Sequence, residues 1–181
     1  MNIYIVIPAH NEEDSIRHTL KSLVEQTVLP KKLVVVNDNS ADNTAQIIND
    51  YSKSYNWIHT VDINSSSEHF PGSKVVNAFY NGYNTLDDDY DIICKFDADI
   101  IFPKDYLERI SVLFKSDDKI GVAGGLPLIK KREKWVFENI ASKDHVRGPI
   151  KAYRKACFKQ IGGLRKSIGW DSVDVLLAQY Y

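Results

Sequence analysis

The chain has 181 residues, 44% of them apolar and 26% charged, which suits one globular domain with a full hydrophobic core. Its formal charge of −1 argues against a nucleic-acid binder held by a general basic surface. It contains no run of 18 apolar residues to span a bilayer, and its opening, MNIYIVIPAHNEE, lacks the basic start and small-residue cleavage site of a signal peptide.

In chain order, IYIVIP (3–8) is a continuous apolar run ending at Pro8, the pattern of a strand covered on both faces in a parallel sheet. Asn11 is expected to cap a helix that opens with Glu12, Glu13 and Asp14 and lines up Ile16, Leu20, Leu23 and Val24 on one face. LVVVND (33–38) reads as a second buried strand, Asp42 as the N-cap of the next helix, and WIHTVDI (57–63) as a third strand. A polar loop, NSSSEHFPGSK, precedes a helix through Val75, Val76, Phe79 and Tyr80. DIICKF (91–96) is a strand running into Asp97 and Asp99. Beyond it Pro103 suits a first helical turn, and Leu107, Ile110, Leu113 and Phe114 follow at helical spacing. IGVAGGLPLI (120–129) and KAYRKACF (151–158) read as further strands. The last segment, WDSVDVLLAQYY, reads as a helix in which the sequence stops, as in a fragment of a longer chain. Cys94 and Cys157 show neither metal-ligand nor redox spacing; a buried thiol at Cys94 points to a reducing, cytoplasmic compartment.

This alternation of strands and helices predicts an α/β fold with a mostly parallel sheet. Ligands of such sheets bind beyond the carboxyl ends of the strands, which puts PAHNEE, NDNS and DAD on one rim. Asp97 and Asp99 leave the same face of their strand with Cα atoms about 6 to 7 Å apart. They suit a hard divalent cation, Mg²⁺ or Mn²⁺, that takes its remaining oxygens from phosphates and water, or else a plain pair of solvated acids. Asp38 ends a buried strand, where it can accept from a pyrimidine N–H or serve the turn NDNSADN. Glu12 can bind a ribose or base, or favour a helix dipole. Gly72 and Lys74 offer a phosphate contact, or simply a loop. Arg147, Lys151, Arg154 and Lys155, with His145 beside them, form a basic cluster for an anionic group, or a solvated edge. Asp171 opens a helix after Trp170, as an N-cap or as a base beside an aromatic wall that would also suit a sugar.

The order of these motifs resembles that of the family 2 glycosyltransferases, which share the GT-A fold. IVIPAHNEEDSIRHTLKSLVEQT is similar to the family's opening strand and helix, VVVNDNSADNT to its V-V-D-D-G-S-x-D-x-T segment, and FDAD to its D-x-D motif. The resemblance covers essentially all 181 residues. It implies one GT-A domain over 1–181, with a nucleotide-sugar-binding half (1–100), an acceptor-side half (101–181) and a Rossmann-like sheet flanked by helices. It also implies metal-dependent, inverting transfer from a nucleotide-diphosphate sugar, by preference a UDP-sugar, to a hydroxyl of a growing polysaccharide or lipid-linked glycan. Position by position, Pro8, His10 and Glu12 belong in the nucleotide pocket, Asp38 on the base and Lys74 in the family's glycine-lysine helix; Arg147, from the basic cluster, is expected as a further donor contact. Asp97 and Asp99 belong at the cation, Asp99 as its main ligand, and Asp171 is the general base.

Some residues depart from the family pattern. Asn37 and Asn39 replace an aspartate and a glycine, and the E-D motif reads Trp170-Asp171 with the next acid at Asp174. A non-catalytic nucleotide-sugar-binding domain is therefore the alternative. The expected location is cytoplasmic, at the inner face of the membrane if residues beyond this chain attach it there, and no nucleic acid is expected as partner.

Overall fold

Uninterrupted apolar strands require cover on both faces of a sheet, and the chain supplies it. The computed structural model describes residues 1–65, 73–140, 142 and 145–181. Strands β1 (Ile3–Ala9), β2 (Lys32–Asp38), β3 (Ile58–Ile63) and β4 (Ile92–Phe96) run parallel, in the order β3-β2-β1-β4. The sheet continues through β8 (Ile150–Arg154), antiparallel to β4, to the short β5 (Val122–Ala123) at its edge. β6 (Leu128–Lys131) and β7 (Lys134–Phe137) form a separate hairpin. The helices are α1 (Ile16–Val24), α2 (Thr44–Ser54), α3 (Ser73–Tyr83), α4 (Tyr106–Ser116), α5 (Lys155–Gln160) and α6 (Trp170–Tyr180).

Alternate residues of β1 enter two different cores. Ile3, Ile5 and Ile7 meet Ile16, Leu20 and Leu23 of α1 and Leu107 and Phe114 of α4. Tyr4 and Val6 share the other core with Val76 and Phe79 of α3, Phe158 of α5 and Trp170 of α6. Each fully buried side chain of this size contributes about 1.5–3 kcal/mol of transfer free energy. α3 lies especially close to the sheet: a Cβ on Gly82 would stand 2.7 Å from Val36 Cγ2 and 2.8 Å from Val6 Cγ1. Only glycine fits there.

Several local expectations need correction. α1 starts at Ile16 with Ser15 as N-cap, because Asn11 takes a left-handed φ of 54° and its side chain binds the neighbouring loop instead. Glu12, Glu13 and Asp14 thus precede the helix rather than forming its first turn. The N-cap of α2 is Asn43; Asp42 accepts the Thr44 N–H at 3.0 Å from one position further out. The run 120–129 splits into β5 and β6, since β5 pairs with β8 only at Val122 and Ala123. The run 151–158 turns from strand to helix at Lys155, where pairing with β4 ends at Arg154. Gly169 is the N-cap of α6, so Asp171 lies in its first turn.

Candidate active site

The polar residues that end the parallel strands converge on one rim. Pro8, His10 and Glu12 follow the core of β1, Asp38 ends β2, Asp97 and Asp99 follow β4, and Lys74 stands at the start of α3. Together with Asn64 and Ser65 they line a single cleft of about 580 Å³. Seven of the residues singled out from the sequence thus meet from four separate segments. Gly72 lies outside the described residues.

Backbone and side-chain hydrogen bonds lace the first two segments together. Asn11 N donates to Ser40 Oγ at 3.0 Å, and Asn11 Oδ1 accepts from Ala41 N at 2.8 Å. Glu12 N donates to Thr44 Oγ1 at 2.7 Å, while the Glu12 carboxylate accepts from Ser15 Oγ at 2.5 Å. His10 Nδ1 lies 2.5 Å from the Asp38 carbonyl, which can only accept, so Nδ1 carries the proton. Asp38 is buried, with Oδ1 accepting from Ser65 N at 3.0 Å and Oδ2 from Ser65 Oγ at 2.7 Å. Asn39 occupies the place of the family's glycine at φ 51°, a left-handed conformation that asparagine tolerates. Asn37 donates from Nδ2 to Asp62 Oδ1 at 2.8 Å across the β2–β3 pair. An aspartate in its place would face a second carboxylate there.

Burial, and then the negative charge of Asp97, raise the pKa of Asp99 above the ordinary carboxylate value. That is the electrostatic condition a bound cation relieves. Among the described residues no three His, Cys, Asp or Glu side chains gather as a metal-ligating group. Two carboxylates at the mouth of a cleft nevertheless fit Mg²⁺ or Mn²⁺ that keeps phosphate and water oxygens.

Arg147 and Asp171 do not line the cleft. Arg147 pairs with Glu138 at 3.1 Å. The basic cluster around it is dispersed, because each cation has a structural partner of its own. Lys151 is buried against Asp174, Arg154 binds the carbonyls of Phe114, Asp117 and Ile120, and Lys155 pairs with Asp88. Asp171 packs on the loop before β8: a Cβ on Gly148 would lie 3.2 Å from Asp171 Cβ and 3.3 Å from its Oδ2. The adjacent Pro149 carbonyl accepts the Asp97 N–H at 2.9 Å, so one loop separates Asp171 from the cleft. Trp170 is only 8% exposed, and the Lys95 and Lys151 ammonium groups lie 5.1 and 5.5 Å from its ring centroid. It offers no open face to a sugar.

Sequence reading missed Lys95 and the Lys151–Asp174 pair. The available signal was a lysine inside the apolar run IICKF, where a buried charge requires a partner. A second cavity of about 490 Å³ shares Asp99 with the cleft and has mostly apolar walls, including Phe102, Pro127, Leu128 and Trp135.

The mostly parallel sheet with its cleft at the strand ends is an architecture that solved structures share. S. aureus TarS in complex with UDP matches with a TM-score of 0.73 over 98% of this chain and 55% of that one, at 19% identity. The mannosyltransferase PcManGT from Pyrobaculum calidifontis, with GDP-Man and Mn²⁺, matches at 0.68 over 95% of this chain and 50% of that one, at 17% identity. The fold is GT-A. Residues 4–164 match the model of Glycosyl transferase family 2, and the chain belongs to that family. Among curated relatives, a probable glycosyltransferase, YdaM of Bacillus subtilis (strain 168), is 34% identical over 126 residues, covering 68% of this chain. The poly-beta-1,6-N-acetyl-D-glucosamine synthase of Staphylococcus epidermidis is 27% identical over 131 residues, covering 72%. The chain spans 29% of the length of each of these two relatives.

Proposed function

We propose that the chain is the donor-binding and catalytic domain of an inverting glycosyltransferase that uses a UDP-sugar. The observation that carries this reading is the convergence of Pro8, His10, Glu12, Asp38, Lys74, Asp97 and Asp99 on one cleft at the rim of a GT-A sheet. The choice of UDP draws support from the TarS complex with that nucleotide and from the N-acetylglucosamine polymer made by a relative.

In this mechanism the base sits among Pro8, His10 and Asp38, with Glu12 on the ribose or base, and Lys74 reaches the phosphates. Asp99, with Asp97 beside it, would hold Mg²⁺ or Mn²⁺, and a cation there would supply charge neutralisation for the leaving diphosphate. The acceptor hydroxyl attacks the anomeric carbon from the face opposite the diphosphate. Its proton passes to the Asp171 carboxylate as the new C–O bond forms and the bond to the diphosphate oxygen breaks. Orientation by the cleft supplies much of the rate. The apolar cavity that shares Asp99 has walls that would suit an acceptor with an apolar portion, such as a lipid-linked glycan.

One observation favours a second reading, a donor-binding domain without turnover. Asp171 stands outside the cleft, and Asp174, the next acid, is fully committed to Lys151 and Tyr153. Asp171→Asn separates the two. In the transferase it abolishes sugar transfer and leaves UDP affinity intact. A wild type that binds UDP and transfers nothing supports the second reading.

A further inference from the structure

Lys95 lies on β4, one residue before the strand's last, with its side chain 2% exposed. Its ammonium group reaches upward to the Asp97 carboxylate in the cleft, with which it forms an ion pair. It also lies 3.4 Å from the Gly148 carbonyl, in the loop against which Asp171 packs. The same Nζ is 5.1 Å from the centroid of Trp170, the first residue of α6. Directly across the β4–β8 pair stands Lys151, also buried, whose ammonium group binds Asp174 and the Asp171 carbonyl of α6. Two lysines side by side in a dry interior repel each other, and each is balanced by a carboxylate of its own.

Stability does not account for such an arrangement. A buried charge contributes little net stability compared with a well-packed apolar replacement, because it must leave water, as Lys95 does against an Asp97 carboxylate that stays 35% exposed. What the arrangement does provide is a fixed geometry. One buried cation touches the carboxylate of the donor cleft, the loop beside Asp171 and the first ring of the helix that carries Asp171.

We propose that Lys95 is a positioning residue, holding the Asp97 carboxylate in its place at the donor cleft and tying that place to the start of α6. This rests on the donor-site reading above. Asp97 and the start of α6, which carries Asp171, then rest against a common group. Lys95 does not touch the reacting atoms.

The test is Lys95→Met, which keeps the stem and removes the charge, in the 181-residue chain. Two measurements are made on it: amide hydrogen exchange along α6, and calorimetric titration of UDP with Mn²⁺. The expected result is faster exchange in α6 with β1 and β2 unchanged, and UDP affinity lower by about 10- to 100-fold, the usual cost of losing a group that orients a ligand-holding residue. Unchanged exchange in α6 overturns the coupling. Faster exchange with wild-type UDP affinity overturns the positioning role, leaving Lys95 a structural group only. If Lys95→Met does not fold, Lys95→Gln carries the same two measurements. If the wild type itself binds no nucleotide, the donor-site reading and the role of Lys95 in it both fail, whereas the exchange data still decide whether Lys95 holds α6.

Discussion

Lys151 and Asp174 form an ion pair closed to water, with Nζ 2.5 Å from Oδ1 and side chains 0% and 1% exposed. The second carboxylate oxygen accepts from the Tyr153 hydroxyl, so α6 is fastened to β8 by polar groups within an apolar layer. Removing one partner strands the other as an uncompensated charge. Lys151→Met is therefore expected to destabilise the fold by about 3–5 kcal/mol, read from urea unfolding. Adding Asp174→Leu to it recovers most of that loss, since the stranded charge goes too.

Asn37 gives a milder case. Its amide donates to Asp62 across the β2–β3 pair, and the aspartate that the family pattern prefers at this position would replace attraction by repulsion. Asn37→Asp is expected to cost about 1 kcal/mol in thermal or urea unfolding. Asp62→Asn in the same chain should restore it.

Gly148 sets the distance between the β8 loop and Asp171. A methyl group there would lie 3.2 Å from Asp171 Cβ, so the start of α6 must move by a few tenths of an ångström. Gly148→Ala is expected to lower kcat for transfer on the order of tenfold while UDP affinity stays near wild type. Equal losses in both would place the effect in the donor cleft instead.

The acidic turn 87–89 predicts the acid side of the stability profile. Hydrogen bonds from Lys32 and then Tyr4 hold Asp87 well below the ordinary carboxylate range, those from Lys159 and Lys155 lower Asp88, and that from Lys31 lowers Asp89. A folded pKa below the unfolded one means that the unfolded chain takes up protons first. These contributions are thus complete above about pH 4 and fade as pH falls through the folded values. The melting temperature is expected to drop steadily below about pH 4, and Asp87→Asn to flatten that slope.

The legibility of this protein in its sequence follows from where each signal is local. Apolar runs such as IYIVIP and LVVVND end in polar residues at the strand tips, and the parallel-sheet rule alone assembles those tips on a common rim. Pro8, Asp38, Asp97 and Asp99 could be placed that way. The basic segment 144–155 could not, because neighbours in sequence diverge in space. Lys151 and Tyr153 point into the layer beneath α6, Arg154 turns to the carbonyls at the end of α4, and Arg147 pairs with Glu138. The Lys151–Asp174 pair joins residues 23 apart, and only the packing of α6 on β8 brings them into register.

The most direct test of the central claim is calorimetric titration of UDP into the chain with Mn²⁺ and with chelator, repeated on Asp99→Ala. Binding is expected to require the cation in the wild type and to be lost in the variant. Equal UDP affinity in all four titrations, or no binding by the folded wild type, would contradict that claim and leave Asp97 and Asp99 as a solvated strand end.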